Sequence, residues 1–261
     1  MIAGHDILLK LEGLDKHFGG LHAIRSLSFT VDRGRITAFI GPNGAGKTTI
    51  FNLVTGALKP DEGRVIYADR DITGMRPDQV AQAGIARTYQ DLRLFGRLNC
   101  EENVMVAFPD QPGERVSAVL LQWSKVQRRE AELREKTAEI LAFVGLSDKR
   151  AALACDLGYA EAKMLALARA LALDAPLLML DEPCSGLDHG ALDKVRQVMR
   201  DLVAQGRTIC LIEHNMALVR EVADHGIFLE QGSLIASGEV AELMADERLR
   251  RRYLGLVEEA A

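Results

Sequence analysis

Two rhythms of apolar residues run along this chain. Between residues 7 and 34, Leu9 and Leu11, and then Leu27, Phe29 and Val31, alternate with polar neighbours. That spacing puts each set on one face of a sheet, so strands are expected here. Residues 35–40, Arg-Ile-Thr-Ala-Phe-Ile, make an apolar, β-branched run that suits a buried strand. Ile50, Leu53 and Val54 then fall at helical spacing. Residues 55–63 are rich in turn formers, 64–67 read as a strand and 69–74 as a turn. Residues 77–83 read as a short helix with Pro77 in its first turn. Residues 85–90 read as a strand that releases into a loop at Gln90.

From 91 to 170 the strand pattern disappears. Residues 101–107 look helical and 109–113 form a loop. From about 117 to 144 charges alternate in sign, with Leu133, Thr137, Ile140, Leu141 and Val144 on one stripe. A solvated helix with one packed face is expected. After 175 strands and helices alternate again: a strand at 176–180, a helix at 193–204, a strand at 207–212 and a helix at 216–223. Residues 225–230 and 233–238 form a hairpin around Gln231-Gly232, and a last helix covers 240–254. The expected organisation is one α/β domain over 1–261. Segments 1–90 and 171–261 make an α/β core with a β subdomain, and 91–170 is an inserted helical subdomain.

Composition narrows the functional classes. The 261 residues suffice for one large domain or two small lobes, and 48% are hydrophobic. A net charge of −5 argues against free nucleic acid as the main partner. The longest apolar stretch, 164–180, is interrupted by Arg169, Asp174 and Pro176, so no membrane span is expected. The first residues lack the charged start and apolar core of a signal peptide. Cys100, Cys155, Cys184 and Cys210 show neither C-x-x-C spacing nor nearby paired histidines. The simplest reading is a reduced cytoplasm with neither disulfide nor zinc.

The chemistry concentrates after the 35–40 strand. Gly41, Gly46, Lys47 and Thr48 fit G-x-x-x-x-G-K-[ST], the phosphate-binding loop, between an expected strand and an expected helix. Its glycines let backbone N–H groups turn toward a phosphate chain, and the helix N-terminus adds donors and partial positive charge. The candidate nucleotide contacts are Asn43, Gly44, Ala45, Gly46, Lys47, Thr48 and Thr49. Lys47 can neutralise the β- and γ-phosphates, and Thr48 can ligate Mg²⁺. Phe18 is either a core residue or a platform for a base, and its local sequence leaves both open. Asp181 and Glu182 end the 176–180 strand, where ligands bind in open α/β sheets. Asp181 can hold Mg²⁺ through water. Glu182 can polarise an attacking water. His214 follows the 207–212 strand and can hydrogen-bond a γ-phosphate.

Together these residues resemble the ATP-binding subunits of ABC transporters over nearly the whole chain. The resemblance rests on the phosphate loop, Gln90, Leu177-Leu178-Met179-Leu180-Asp181-Glu182-Pro183, Ser185-Gly186-Leu187-Asp188 and His214. It implies a P-loop NTPase (RecA-like) α/β core with an antiparallel β subdomain and an inserted helical subdomain. It implies ATP and Mg²⁺ as ligands, Phe18 stacked on adenine, and Gln90 meeting Mg²⁺ and a membrane subunit. Ser185, Gly186, Leu187 and Asp188 would cross to a second ATPase subunit. Implied partners are two membrane permeases, a second ATPase chain and, indirectly, an extracytoplasmic solute-binding protein, all at the cytoplasmic face of the inner membrane. The strings Lys16-His17-Phe18-Gly19-Gly20-Leu21-His22-Ala23, Arg87-Thr88-Tyr89-Gln90, Glu213-His214-Asn215-Met216 and Tyr253-Leu254-Gly255 resemble the branched-chain amino acid importer ATPases. Urea and lipopolysaccharide-export ATPases share some of them. The family signature Leu-Ser-Gly-Gly-Gln is replaced by Leu157, Gly158, Tyr159, Ala160 and Glu161. The resemblance implies that this segment serves the partner's ATP site, which the replacement would weaken.

Overall fold

In the computed structural model, which describes residues 6–109, 111 and 122–249, the chain forms two compact units. One comprises 1–87, 176–182 and 199–261, the other 88–175 and 183–198. The helical segment expected at 91–170 falls within the second.

The first unit carries two sheets. In chain order its strands are β1 (Ile7–Phe18), β2 (Leu21–Asp32), β3 (Ile36–Ile40), β4 (Glu62–Tyr67), β5 (Arg70–Asp71), β6 (Ile85–Arg87), β7 (Leu177–Asp181), β8 (Thr208–Ile212), β9 (His225–Glu230) and β10 (Ser233–Glu239). An antiparallel sheet has the order β2-β1-β4-β5, and a six-stranded sheet the order β10-β9-β3-β8-β7-β6. In the larger sheet every pairing is parallel except β9 with β10. All residues of β3, β7 and β8 are buried, as the unbroken apolar runs require of parallel strands covered on both faces. Helix α1 (Lys47–Val54) follows β3, and α2 (Pro77–Ala83) lies where the pattern puts it. The Phe39 ring meets Phe29 and Phe51 edge-on, both at 5.4 Å, which joins β3 to β2 and to α1.

The second unit is helical. It holds α3 (Cys100–Met105), α4 (Trp123–Phe143), α5 (Tyr159–Leu171) and the start of α6 (His189–Ala204). Val126, Leu133, Thr137 and Leu141 of α4 are buried, with Val144 beyond its end, while Ile140 is half-buried. Asn103 is fully buried and ties down a loop. Its Oδ1 accepts the Phe95 N–H, and its Nδ2 donates to the carbonyls of Phe95, Leu98 and Asn99, each within 3.1 Å. Helices α7 (Met216–Val222) and α8 (Val240–Ala245) return to the first unit.

Several boundaries differ from the periodicity. The strand expected over 85–90 stops at Arg87, because the β7 ladder pairs only Ile85, Ala86 and Arg87. The 69–74 turn holds the two-residue strand β5 against β4. Helix α6 starts four residues before 193, since the Asp188 carboxylate accepts the Ala191 N–H at 2.8 Å and caps it. The last helix breaks at Asp246, and 250–254 lie outside the described residues, as do 117–121 of the long helix. Among the described residues no helix is long and apolar enough to cross a membrane.

Arg87 ties three of these elements together. Its guanidinium donates to Asn52 Oδ1 (2.6 Å) and Thr55 Oγ1 (3.2 Å), in α1 and at its C-terminal end, and to Asp181 Oδ2 (3.3 Å) at the end of β7. The Arg87 and Asp181 side chains are 5% and 4% exposed. Breaking a buried pair by deleting one member leaves an uncompensated charge. Arg87→Met is therefore expected to destabilise the chain by about 3 kcal/mol in urea unfolding. A loss below about 0.5 kcal/mol, the scale of a neutral surface change, would contradict this role.

Candidate nucleotide site

Three strand ends meet along one edge of the larger sheet. Ile212 of β8 is level with both Phe39 of β3 and Asp181 of β7. The glycine loop, the Asp181-Glu182 pair and His214 therefore emerge side by side, at the carboxyl edge where open α/β sheets take ligands.

The loop is shaped by close approach. A Cβ on Gly41 would lie 2.1 Å from the Leu229 carbonyl oxygen of β9. On Gly46, at φ +100°, it would lie 2.7 Å from Ile24 Cδ1 and 3.1 Å from the Ala23 carbonyl. Both positions need glycine for packing. Gly44 differs: its φ is +80° and nothing stands within 4 Å of a would-be Cβ, so its backbone faces open space. Asn43, Gly44 and Thr48 are exposed, Thr49 is half-buried and Ala45 is buried. Gly46 caps α1 without any side-chain bond to its first amides, which leaves the positive end of the helix facing the loop.

Lys47 lies under the loop, 6% exposed. Its ammonium donates to the carbonyls of Gly41 (2.6 Å) and Pro42 (3.0 Å). Burial pulls its pKa down, while the Glu182 and Asp181 carboxylates pull it up. Asp181 is 5% exposed. Burial raises its pKa, and Arg87 works against that rise.

Glu182 leaves β7 in a left-handed conformation, φ +49°, and its N–H donates to the Ile212 carbonyl at 3.0 Å. This bend, costly for a non-glycine residue, turns its carboxylate toward β8. Glu182 Oε1 and His214 Nε2 are 2.8 Å apart. An ionised Glu182 only accepts, so Nε2 carries the proton in that bond. The structure thus joins these two residues directly, a contact that their separate assignments to water and to a γ-phosphate do not contain. A pocket of about 370 Å³ beside them is lined by Ile40, Gly41, Pro42, Glu213, His214, Met216 and Glu230.

Phe18 ends β1 and is 44% exposed, which excludes the core alternative. Lys16 Nζ lies 5.6 Å from its ring centroid. Gln90 is exposed, three residues past β6 in the second unit. The second unit also joins the signature segment to 185–188. Gly158 caps α5, and its N–H donates to the Glu161 carboxylate at 3.0 Å. Lys149 Nζ lies 3.2 Å from the same carboxylate. The Gly158 N–H, then Lys149, hold Glu161 below the usual carboxylate range. The half-exposed Tyr159 ring covers Gly186, φ +72°, where a Cβ would come within 3.0 Å. Lys163, buried on α5, donates to the Ser185 carbonyl (2.7 Å) and hydroxyl (2.9 Å). Leu187 is half-buried and Asp188 caps α6.

The sequence pattern misses Arg87 and Lys163. Each is a cation in a largely apolar element, and periodicity assigns such residues to solvent. The available signal for Arg87 is its place at the end of a buried strand, next to a site that collects carboxylates.

A family profile described as ABC transporter matches residues 24–185. The high-affinity branched-chain amino acid transport ATP-binding protein LivG of Salmonella typhimurium is 35% identical, over 95% of this chain and 98% of its own length. BraF of Pseudomonas aeruginosa, which carries the same description, is 33% identical over 95% of this chain and 98% of its own. Among solved structures, the ADP conformation of MJ1267, an ATP-binding cassette of an ABC transporter, superposes with a TM-score of 0.81 at 32% identity, covering 95% of this chain and 99% of that one. The bent strand-end glutamate, the lysine under its glycine loop and these relatives agree: the chain belongs to the ABC transporter family, as one of its ATP-binding ATPase subunits.

Proposed function

We propose that this chain hydrolyses ATP to drive uptake of branched-chain or related amino acids through two permease subunits at the cytoplasmic face of the plasma membrane. The observation that carries the substrate class is the identity of 33–35% to LivG and BraF along nearly the full length of each. The partners are the two permeases, a second ATPase chain and, through the permeases, an extracytoplasmic binding protein. The expected permease contact includes Gln90 and the loop after it.

The geometry supports the following reading. The amides of Gly44 to Thr48 and the N-terminus of α1 receive the phosphates, and the Lys47 ammonium offsets their charge. Asp181 and Thr48 are suited to hold Mg²⁺, since Asp181 is a buried acceptor at the strand end and Thr48 is an exposed hydroxyl in the first turn of α1. Bound there, Mg²⁺ would neutralise charge on the phosphate oxygens. Glu182 takes the proton of the attacking water. His214 fixes the rotamer of that carboxylate through the 2.8 Å bond. Phe18 offers an exposed ring face to the base.

The signature supports an unequal partnership. In the family this segment completes the partner's ATP site, yet here the Gly158 N–H is already engaged by Glu161, whose charge is opposite in effect to a donor. Loss of one donor to a reacting oxyanion costs on the order of 10²–10³ in rate. A different second ATPase would confine that defect to one of two sites.

Three outcomes are expected. Lys47→Ala nearly abolishes ATP binding in a titration of the purified variant, and near-normal affinity would refute the assignment. Glu182→Gln keeps ATP binding but removes most turnover, whereas turnover within a few-fold of the parent would exclude Glu182 as the base. In the assembled transporter, inactivating Glu182 lowers turnover more than inactivating the equivalent carboxylate of the second ATPase. Equal losses would remove the case for asymmetry.

A further inference from the structure

At the tip of the β1–β2 hairpin lies a second cluster of polar groups with no part in the nucleotide chemistry above. His17 on β1 and His22 on β2 are cross-strand partners, and their rings stack at 3.9 Å with 16° between planes. Both rings converge on one carboxylate. His22 Nε2 is 2.8 Å from Asp15 Oδ1, and His17 Nδ1 is 3.2 Å from the same oxygen. The three atoms lie within 4.8 Å of one another. We propose that Asp15, His17 and His22 form a binding site for a divalent transition-metal ion of the zinc class.

The donor set and spacing carry this assignment. Two imidazole nitrogens and a carboxylate oxygen are the ligands that borderline metals such as Zn²⁺ favour. Bonds of about 2.0–2.1 Å in a tetrahedral sphere place ligand atoms about 3.3 Å apart. The two contacts to Asp15, 2.8 and 3.2 Å, are already near that edge length. The third edge closes by rotation of His17, whose side chain is 51% exposed. That exposure also gives an ion a path in and leaves room for water as a further ligand.

The surroundings hold the ligands in place. Asp15 Oδ2 accepts the Ser26 N–H at 3.1 Å, which orients the carboxylate. The Asp15 carbonyl accepts the Asp61 N–H at 2.9 Å. Asp61 in turn accepts the His17 N–H at 2.6 Å and the Lys16 ammonium at 2.7 Å. Its Oδ2, which accepts that N–H, lies 3.7 Å from His17 Nδ1 and adds negative charge beside the site. With neutral imidazoles, the charges of Asp15, Asp61 and Lys16 sum to minus one, which favours a cation. Outer-shell bonds of this kind are what fix ligand orientation in metal sites. The four cysteines give no hint of this site, because its ligands are histidines separated by a hairpin turn.

An ion bound here would clamp β1 to β2 at the residue before Phe18, whatever the transported solute. The test uses the full, untagged chain stripped of metal, with Zn²⁺ alone titrated against a chromophoric chelator. Saturable binding of one equivalent is expected, weakened at least ten-fold in His17→Gln and in His22→Gln. Cys155→Ser, which removes the exposed thiol, should leave it unchanged. Thermal denaturation is the second readout: Zn²⁺ raises the Tm of the parent, as a ligand of the native state must, but not that of either histidine variant. The histidine variants should keep the parent's Tm without metal to within a few degrees, which separates lost ligands from lost fold. Absence of saturable binding, or binding that survives both histidine changes, would overturn the proposal.

Discussion

A buried ammonium sets the terms for the nucleotide site. Lys47 has little access to water, and an ionised amine in that position is stable only if its protons are accepted. The Gly41 and Pro42 carbonyls accept them, so the charge is held by the loop that it lies beneath. The two strand-end carboxylates supply the opposing charge. Arg87 then bonds Asp181 from inside the sheet and fastens it to α1. The result is a row of alternating charge along the carboxyl edge of β3, β7 and β8. Each member is costly alone and tolerable only with its neighbours.

The glycines make this row possible. Gly41 and Gly46 are small because the loop is pressed against β9 and β2, while Gly44 is free on the side away from the protein. The same motif therefore contains two positions under packing constraint and one that presents backbone outward. A strained Glu182 completes the edge, bent so that it reaches His214 rather than the end of its own strand. Functional sites are where such local strain is expected to persist.

Much of this is legible in the residues. The β3, β7 and β8 strands announce themselves as unbroken apolar runs, and the phosphate loop, Asp181, Glu182 and His214 follow from their ends. The β6 boundary is less legible because strand length there depends on how far β7 offers partners, a tertiary fact. The start of α6 is legible in Asp188, a capping residue five positions before the expected start at 193. Arg87 and Lys163 are invisible to periodicity, since a pattern of apolar and polar positions cannot say that a cation is buried against a specific acceptor. The Glu161 bond to Gly158 is likewise a matter of geometry: the sequence shows an altered signature, and the structure shows that its first amide is engaged by its own helix. The convergence of His17 and His22 on Asp15 depends on hairpin register, which β-bulges between Leu14 and His17 shift.

The central claim is that the carboxyl edge of β3, β7 and β8 receives the phosphates of ATP. A crystal structure of the chain with Mg·ADP tests it most directly. The account places the β-phosphate within hydrogen-bond distance of Lys47 Nζ and of backbone amides between Gly44 and Thr48, with the adenine over the Phe18 ring. Nucleotide bound elsewhere on the chain, with Lys47 still confined to the Gly41 and Pro42 carbonyls, would contradict it.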